Sequence, residues 1–376
     1  RDLVDKALLG LDKSGKTGFL RQLDLLFSPD GYYAEGPYYQ RYALQPFVVF
    51  AAAIAANDPD RKIFDYRGGI VLKAVRTAID VTHDGYFIPI NDAMPDKSLR
   101  TEELYHAVAI AYAATKDPTF LSIAEWQGHT MLTPEGQALA ADLAAGKAKP
   151  WPFTSRLLSD GPDGKQGALV LLRDKPTPTG PLLVAKNTAQ GMGHGHFDRL
   201  NWLYYDETGA VVTDYGAARF LNVEAKRGGR YLPENDSWAS ATIAHNTLVV
   251  DEQSQFAGDW KAGDKVPSHQ LATGLDGPTR YSIGEVSGAY PDVRIRRALL
   301  LVDVDGLANP LILDILRGTG GGRHRYDLPL HFSGQIIDSD IAFDRKLAER
   351  PVLGKANGYQ HLWVDGEGTK AGKARA

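Results

Sequence analysis

The feature that most constrains this chain is a change of texture at Lys149-Pro150-Trp151-Pro152. Before it, apolar residues recur at helical spacing; after it, short alternating runs separated by turn residues dominate. An α+β fold satisfies both patterns: a helical domain over 1–149, then a large antiparallel β-sheet or sandwich domain over 150–376. Helices are expected over 2–27 (with a Ser-Gly break), 43–56, 63–81, 101–114, 118–131 and 134–145. Helix pairs joined by short turns suggest an α-solenoid or a toroid of hairpins, without a fixed-period repeat. Strands are expected over 168–172, 182–185, 202–205, 211–213, 247–250, 298–304 and 311–315. A site built by both halves would lie in the cleft between them.

The 376 residues are enough for two or three domains, each with its own core. A net charge of −4 without a long basic run argues against a nucleic-acid partner. The absence of cysteine excludes disulfides and thiolate metal sites. The most apolar stretch, 47–56, is about half of the ~20 residues a membrane span needs, so no span is expected. Both ends read as cut or processed, which leaves location undetermined by any leader.

The run Gln190-Gly191-Met192-Gly193-His194-Gly195-His196-Phe197-Asp198 concentrates chemistry. Its glycines let backbone bend closely around a ligand, and histidine is both an acid/base and a metal ligand. The run equally suits a turn with two surface histidines. Asp214, in Asp214-Tyr215-Gly216, and His245, in Ala244-His245-Asn246-Thr247, also fall at strand ends. With His196 they make a plausible zinc ligand set, the alternative being satisfied structural histidines.

In the helical half, five tyrosines fall between Tyr32 and Tyr42, in what reads as a loop leading into a helix at Ala43. Tyrosine can stack on a sugar and can transfer a proton; a hydrophobic plug between helices is the plainer reading. Arg41 and Arg219 could hold carboxylates in a bidentate manner, and Tyr231 lies in a third polar loop. The nucleophile elbow, P-loop, dinucleotide fingerprint and His-Glu-x-x-His motif are missing. The glycine run 318–322 reads as a long hairpin loop, beyond which His324, Tyr326 and His331 could line a cleft.

Several of these motifs, in this order, resemble the heparinase II/III-like polysaccharide lyases. They are Gln-Gly-Met-Gly-His-Gly-His-Phe-Asp, Thr-Asp-Tyr-Gly and Ala-His-Asn-Thr-Leu-Val-Val-Asp. The segment from Asp30 to Tyr42 resembles the oligoalginate lyases of polysaccharide lyase family 17 more than heparinases, and the segment from Arg325 to Phe332 is similar to the same group. The resemblance implies an incomplete (α/α) toroid followed by an antiparallel β-sheet domain, and β-elimination on uronic-acid chains. It implies a structural Zn2+ held by His196, Asp214 and His245, and His194 facing substrate. It implies Tyr39 as the catalytic tyrosine with His194 or Tyr231, a second tyrosine at the cleft, as its partner in proton transfer, and Tyr38, Arg41, Tyr42 and Arg219 as substrate-binding residues, the two arginines on uronate carboxylates.

The family also has an Asn-His pair upstream of the tyrosine segment. No such pair precedes Asp30, which we attribute to truncation of the helical domain; the β domain is expected to be shortened at its C-terminus. The partner expected is a uronic-acid oligosaccharide or polysaccharide, most of all alginate oligosaccharides cut exolytically. A homodimer and a periplasmic or cell-envelope location are expected from the family. The competing expectations are a lyase for another uronate glycan, a zinc-dependent hydrolase, and a non-catalytic glycan-binding protein. Nearby cations are expected to lower the Tyr39 pKa, and the assignment of acid and base stays open.

Overall fold

A computed structural model describes residues 2–218, 232–338, 341–346 and 348–369. Helices come first: α1 (Asp2–Leu9), α2 (Phe19–Leu26), α3 (Pro37–Asn57), α4 (Ile70–Asp80), α5 (Glu102–Thr115), α6 (Thr119–Gln127) and α7 (Pro134–Ala144). Two differences from the sequence reading bear on the site. The tyrosine segment is not a loop: α3 starts at Pro37, so Tyr38, Tyr39 and Tyr42 occupy its first turns. Gly36, at φ 97°, turns the chain, and Pro37 supplies the fixed φ that suits a first helical residue. The segment expected over 63–81 is likewise broken. Gly68 and Gly69 both take left-handed φ, and the regular helix starts only at Ile70.

An antiparallel five-stranded sheet follows, in sequence order: β1 (Arg156–Ser159), β2 (Ala168–Arg173), β3 (Leu182–Asn187), β4 (Asn201–Asp206) and β5 (Gly209–Val212). A second antiparallel sheet contains β6 (His269–Gly274), β7 (Thr279–Tyr290), β8 (Val293–Val302) and β9 (Leu311–Gly320). The first two of the glycines at 318–322 are not a loop: Gly318 and Gly320 pair with Ile295 and Val293 at the end of β9. The mixture of helices and antiparallel sheets is α+β.

The layers follow from alternation along the strands. Leu169, Leu171, Leu182, Val184, Leu203 and Tyr205 point to the helices and join one cluster with Leu44, Ile79, Leu104 and Phe120. Val170, Leu172, Leu183, Ala185, Trp202 and Tyr204 point the other way and pack on Leu299 and Leu301 of β8. The middle sheet is thus buried on both faces, and its strands read as continuous apolar runs. The helices and this sheet share a core, in place of the separate cores expected from length. Each fully buried Leu or Val contributes about 1.5–3 kcal/mol, so the middle sheet is a rigid platform for whatever its loops carry. Among the described residues, no helix is long and apolar enough to cross a membrane.

Candidate active site and metal centre

Because the middle sheet is antiparallel, the end of β3, the start of β4 and the end of β5 lie along one edge. The histidine run connects β3 to β4 and Asp214 follows β5, so topology alone brings them together. His245 comes to the same edge from the turn Thr242–Ala244. The run itself is tightly folded: a Cβ on Gly195 would lie 1.3 Å from the carbonyl oxygen of Gln190, so no larger residue fits there.

His196, Asp214 and His245 each offer a ligand atom, and these atoms lie within 4.8 Å of one another. All three side chains are buried. His245 Nδ1 is 3.0 Å from Asp214 Oδ2, which also accepts from Asn201 Nδ2 at 2.7 Å. The other Asp214 oxygen accepts from the Gly216 amide at 2.9 Å. His196 Nδ1, His245 Nε2 and Asp198 Oδ2 are buried without a hydrogen-bond partner. Orphaned buried donors and acceptors are costly, and a bound cation would satisfy those nitrogens and offset the buried carboxylates. Asp198 forms an ion pair with Lys186, and both side chains are buried. Burial pushes the Asp214 carboxyl up, but His245 and His196 outweigh it and hold it well below the usual carboxylate range. The residues present fit a metal with nitrogen and oxygen ligands.

His194 belongs to a different surface. It ends the short turn Met192–His194, and its ring stacks on that of Tyr39, centroids 3.7 Å apart at 14°. Tyr39 in turn meets Tyr38 edge-on at 5.1 Å, and Tyr38 meets Tyr42 at 5.7 Å. Tyr38, Tyr39 and Tyr42 thus form one aromatic group beside the histidine run. The expected effect of cations on Tyr39 is reversed. Burial, then the charge of Asp92, pushes its hydroxyl well above the usual phenol range, so Tyr39 holds its proton at neutral pH.

Arg41 is paired within the chain. Its side chain is buried, its Nη1 lies 3.1 Å from Glu103 Oε1, and its guanidinium lies 3.8 Å from the Tyr42 ring centre. The pairing ties α3 to α5, while Arg41 Nε is buried without a hydrogen-bond partner. Arg219 and Tyr231 lie outside the described residues. His324 pairs with Asp251 at the surface, 2.7 Å away, and His331 binds the Ile243 carbonyl at 2.8 Å; neither reaches Tyr39 in the contacts of the site.

The residue that the sequence reading missed is Asp92, in the turn between the short strand Tyr86–Phe87 and α5. Its Oδ2 lies 3.1 Å from His194 Nδ1 and its Oδ1 lies 3.1 Å from His196 Nε2. Asn235 Nδ2 donates to Oδ1 at 2.8 Å. The two histidines therefore separate in exposure, yet they meet on opposite oxygens of one carboxylate. Asn-Asp-Ala-Met carries no motif that marks it, and only the fold brings it 102 residues along the chain to His194.

Residues 157–371 match the heparinase II/III-like, C-terminal family, and the chain belongs to that family. It is 53% identical to an alginate lyase of Stenotrophomonas maltophilia (strain K279a), over 100% of this chain and 50% of that protein. It is also 53% identical to an exo-oligoalginate lyase of Saccharophagus degradans, over 96% of this chain and 49% of that protein. The chain thus spans about half the length of the curated relatives it matches. Among solved structures it resembles a heparinase III, with a TM-score of 0.60, 16% identity and coverage of 87% of this chain and 44% of that one. The heparan sulfate lyase HepC of Pedobacter heparinus gives a TM-score of 0.56, at 17% identity over 85% and 43%. The family and the α+β fold agree with the resemblance read from the motifs.

Proposed function

We propose that this protein cleaves uronic-acid glycans, alginate oligosaccharides above all, by β-elimination that leaves an unsaturated uronate. The observation that carries this reading is the Tyr39–His194 stack, proton-bearing phenol against imidazole, in a chain 53% identical to two alginate-cleaving relatives. The exolytic mode rests on the name of one of those relatives.

The C–H beside a uronate carboxylate is acidic, and its loss must be matched by protonation of the leaving glycosidic oxygen. Tyr39 keeps its proton and suits the second task. His194 gives its Nδ1–H to Asp92, which leaves Nε2 with a lone pair for the first task. Tyr231 is the other candidate base. The negative charge that develops on the carboxylate needs donors or cations around it, the role that Arg41 and Arg219 take in this reading.

Zinc is the metal that two imidazoles and a carboxylate suit best, and His196, Asp214 and His245 would hold it. When bound it would supply fixed positive charge that ties three loops together. The burial of all three ligands favours this structural part over activation of water, and so disfavours the hydrolase alternative. A periplasmic or envelope location, a homodimer and an (α/α) toroid belong to the same reading.

Incubation with alginate oligosaccharides tests it: a lyase generates ultraviolet absorbance from the new double bond. Cleavage without that absorbance would support the hydrolase, and binding without cleavage the glycan-binding alternative.

A further inference from the structure

We infer that Asp92 is a positioning residue whose single carboxylate sets opposite tautomers on the two histidines of the run, arming His194 for the reaction and His196 for the metal.

The geometry is specific. A carboxylate accepts and does not donate, so each nitrogen facing it carries the proton. His194 faces Asp92 through Nδ1, which puts its lone pair on Nε2. His196 faces Asp92 through Nε2, which puts its lone pair on Nδ1, and Nδ1 is the buried atom of that ring without a partner. A metal-binding imidazole is ordinarily held this way by an outer carboxylate. The unusual feature is that the same carboxylate serves a second imidazole that does not ligate.

Asp92 is itself held from several sides. Asn235 donates to Oδ1, and the Asp92 amide donates to the His194 carbonyl at 3.0 Å. Its neighbour Asn91 has φ 65° and donates from Nδ2 to the Glu35 carbonyl at 2.9 Å, just before α3. Cβ atoms on Gly36 and Gly191 would lie 2.9 and 2.5 Å from that Asn91 nitrogen. The turn is therefore wedged between the tyrosine segment and the histidine run. Ala93 continues the linkage, accepting from the Ala217 amide at 2.9 Å. A helical-half turn thus sets the geometry of a β-half site.

The kinetic part of this inference rests on the lyase reading; the metal and tautomer parts do not. Asp92→Asn is the test, because one amide oxygen can accept from only one of the two rings. Three quantities are read: zinc affinity by competition with a chelator, the His194 imidazole 15N shifts, and kcat against KM on alginate oligosaccharides at saturating zinc. We expect zinc affinity to fall about 10–100-fold, the size of effect typical for an outer-shell partner. We expect His194 to lose its fixed Nδ1–H tautomer, and kcat to fall at least about 10-fold while KM changes less than about 3-fold. Asp92→Glu should recover part of each loss. A folded Asp92→Asn protein with both parental zinc affinity and parental His194 shifts overturns the inference, whereas a loss in either supports it. If the parent fails to cleave alginate, the lyase reading falls while the zinc and 15N readings still decide this one. Should Asp92→Asn not fold, the imidazole 15N shifts of the parent decide: protons on His194 Nδ1 and on His196 Nε2 are expected, and the same tautomer on both rings overturns the inference.

Discussion

The Tyr39 ring lies flat on the His194 imidazole, 3.7 Å between centroids, while His196, two residues on, is buried in the ligand group. Replacing the two histidines should therefore give different failures. His194→Ala should lower kcat by about 10²–10⁴-fold, the usual span for an acid/base group, and keep its bound zinc. His196→Ala should lose the zinc. Metal content measured beside turnover checks both; zinc loss in His194→Ala would merge the two proposed roles.

Removing the metal should weaken the fold as well. Without it, His196 Nδ1 and His245 Nε2 remain buried and without a hydrogen-bond partner. A metal present at a thousand times its dissociation constant stabilises by about 4 kcal/mol. Dialysis against a chelator should lower the melting temperature by several degrees, and returning zinc should restore it. His245→Ala should melt at the chelated temperature and ignore added zinc.

Two glycine substitutions should separate close packing from open space. Gly195→Ala places a methyl group 1.3 Å from the Gln190 carbonyl oxygen, whereas a Cβ at Gly321 meets nothing within 4 Å. The first should cost about 3 kcal/mol or more and abolish zinc binding; the second should stay within about 0.5 kcal/mol of the parent. Chemical denaturation of the three proteins makes the comparison.

Asp160 should leave a signature in the pH dependence of stability. Burial raises its carboxyl from 3.8 to about 6, against hydrogen bonds from the Ala189 and Gly161 amides that pull it down. Between those values the folded chain holds a proton that the unfolded chain releases. Its contribution is therefore greatest below the unfolded pKa and is lost as pH rises through the folded one. The stability of the parent relative to Asp160→Asn should fall by an amount on the order of 2 kcal/mol from pH 4 to pH 6. A difference that grows over this interval would contradict the assignment.

Legibility of this molecule from sequence followed the range of the forces involved. Helix and strand periodicity are local, and the helices α5 to α7 and the strands β2 to β4 were readable from it. The start of α3 was not, because five tyrosines among glycines look like a loop until Pro37 is seen as a first helical residue. His196, Asp214 and His245 were legible through motifs. Asp92 was not, since its role depends on a contact across 104 residues to His196. The Arg41 partner was not legible either, because Glu103 lies 62 residues away.

That Tyr39 supplies the proton in a β-elimination is tested by Tyr39→Phe. Phenylalanine keeps the ring that stacks on His194 and removes only the hydroxyl. We expect the parent to generate unsaturated uronate absorbance from alginate oligosaccharides, and the variant to lose at least about 100-fold in kcat while zinc content, melting temperature and oligosaccharide binding stay unchanged. A folded, zinc-loaded Tyr39→Phe protein that turns over at the parental rate would contradict it.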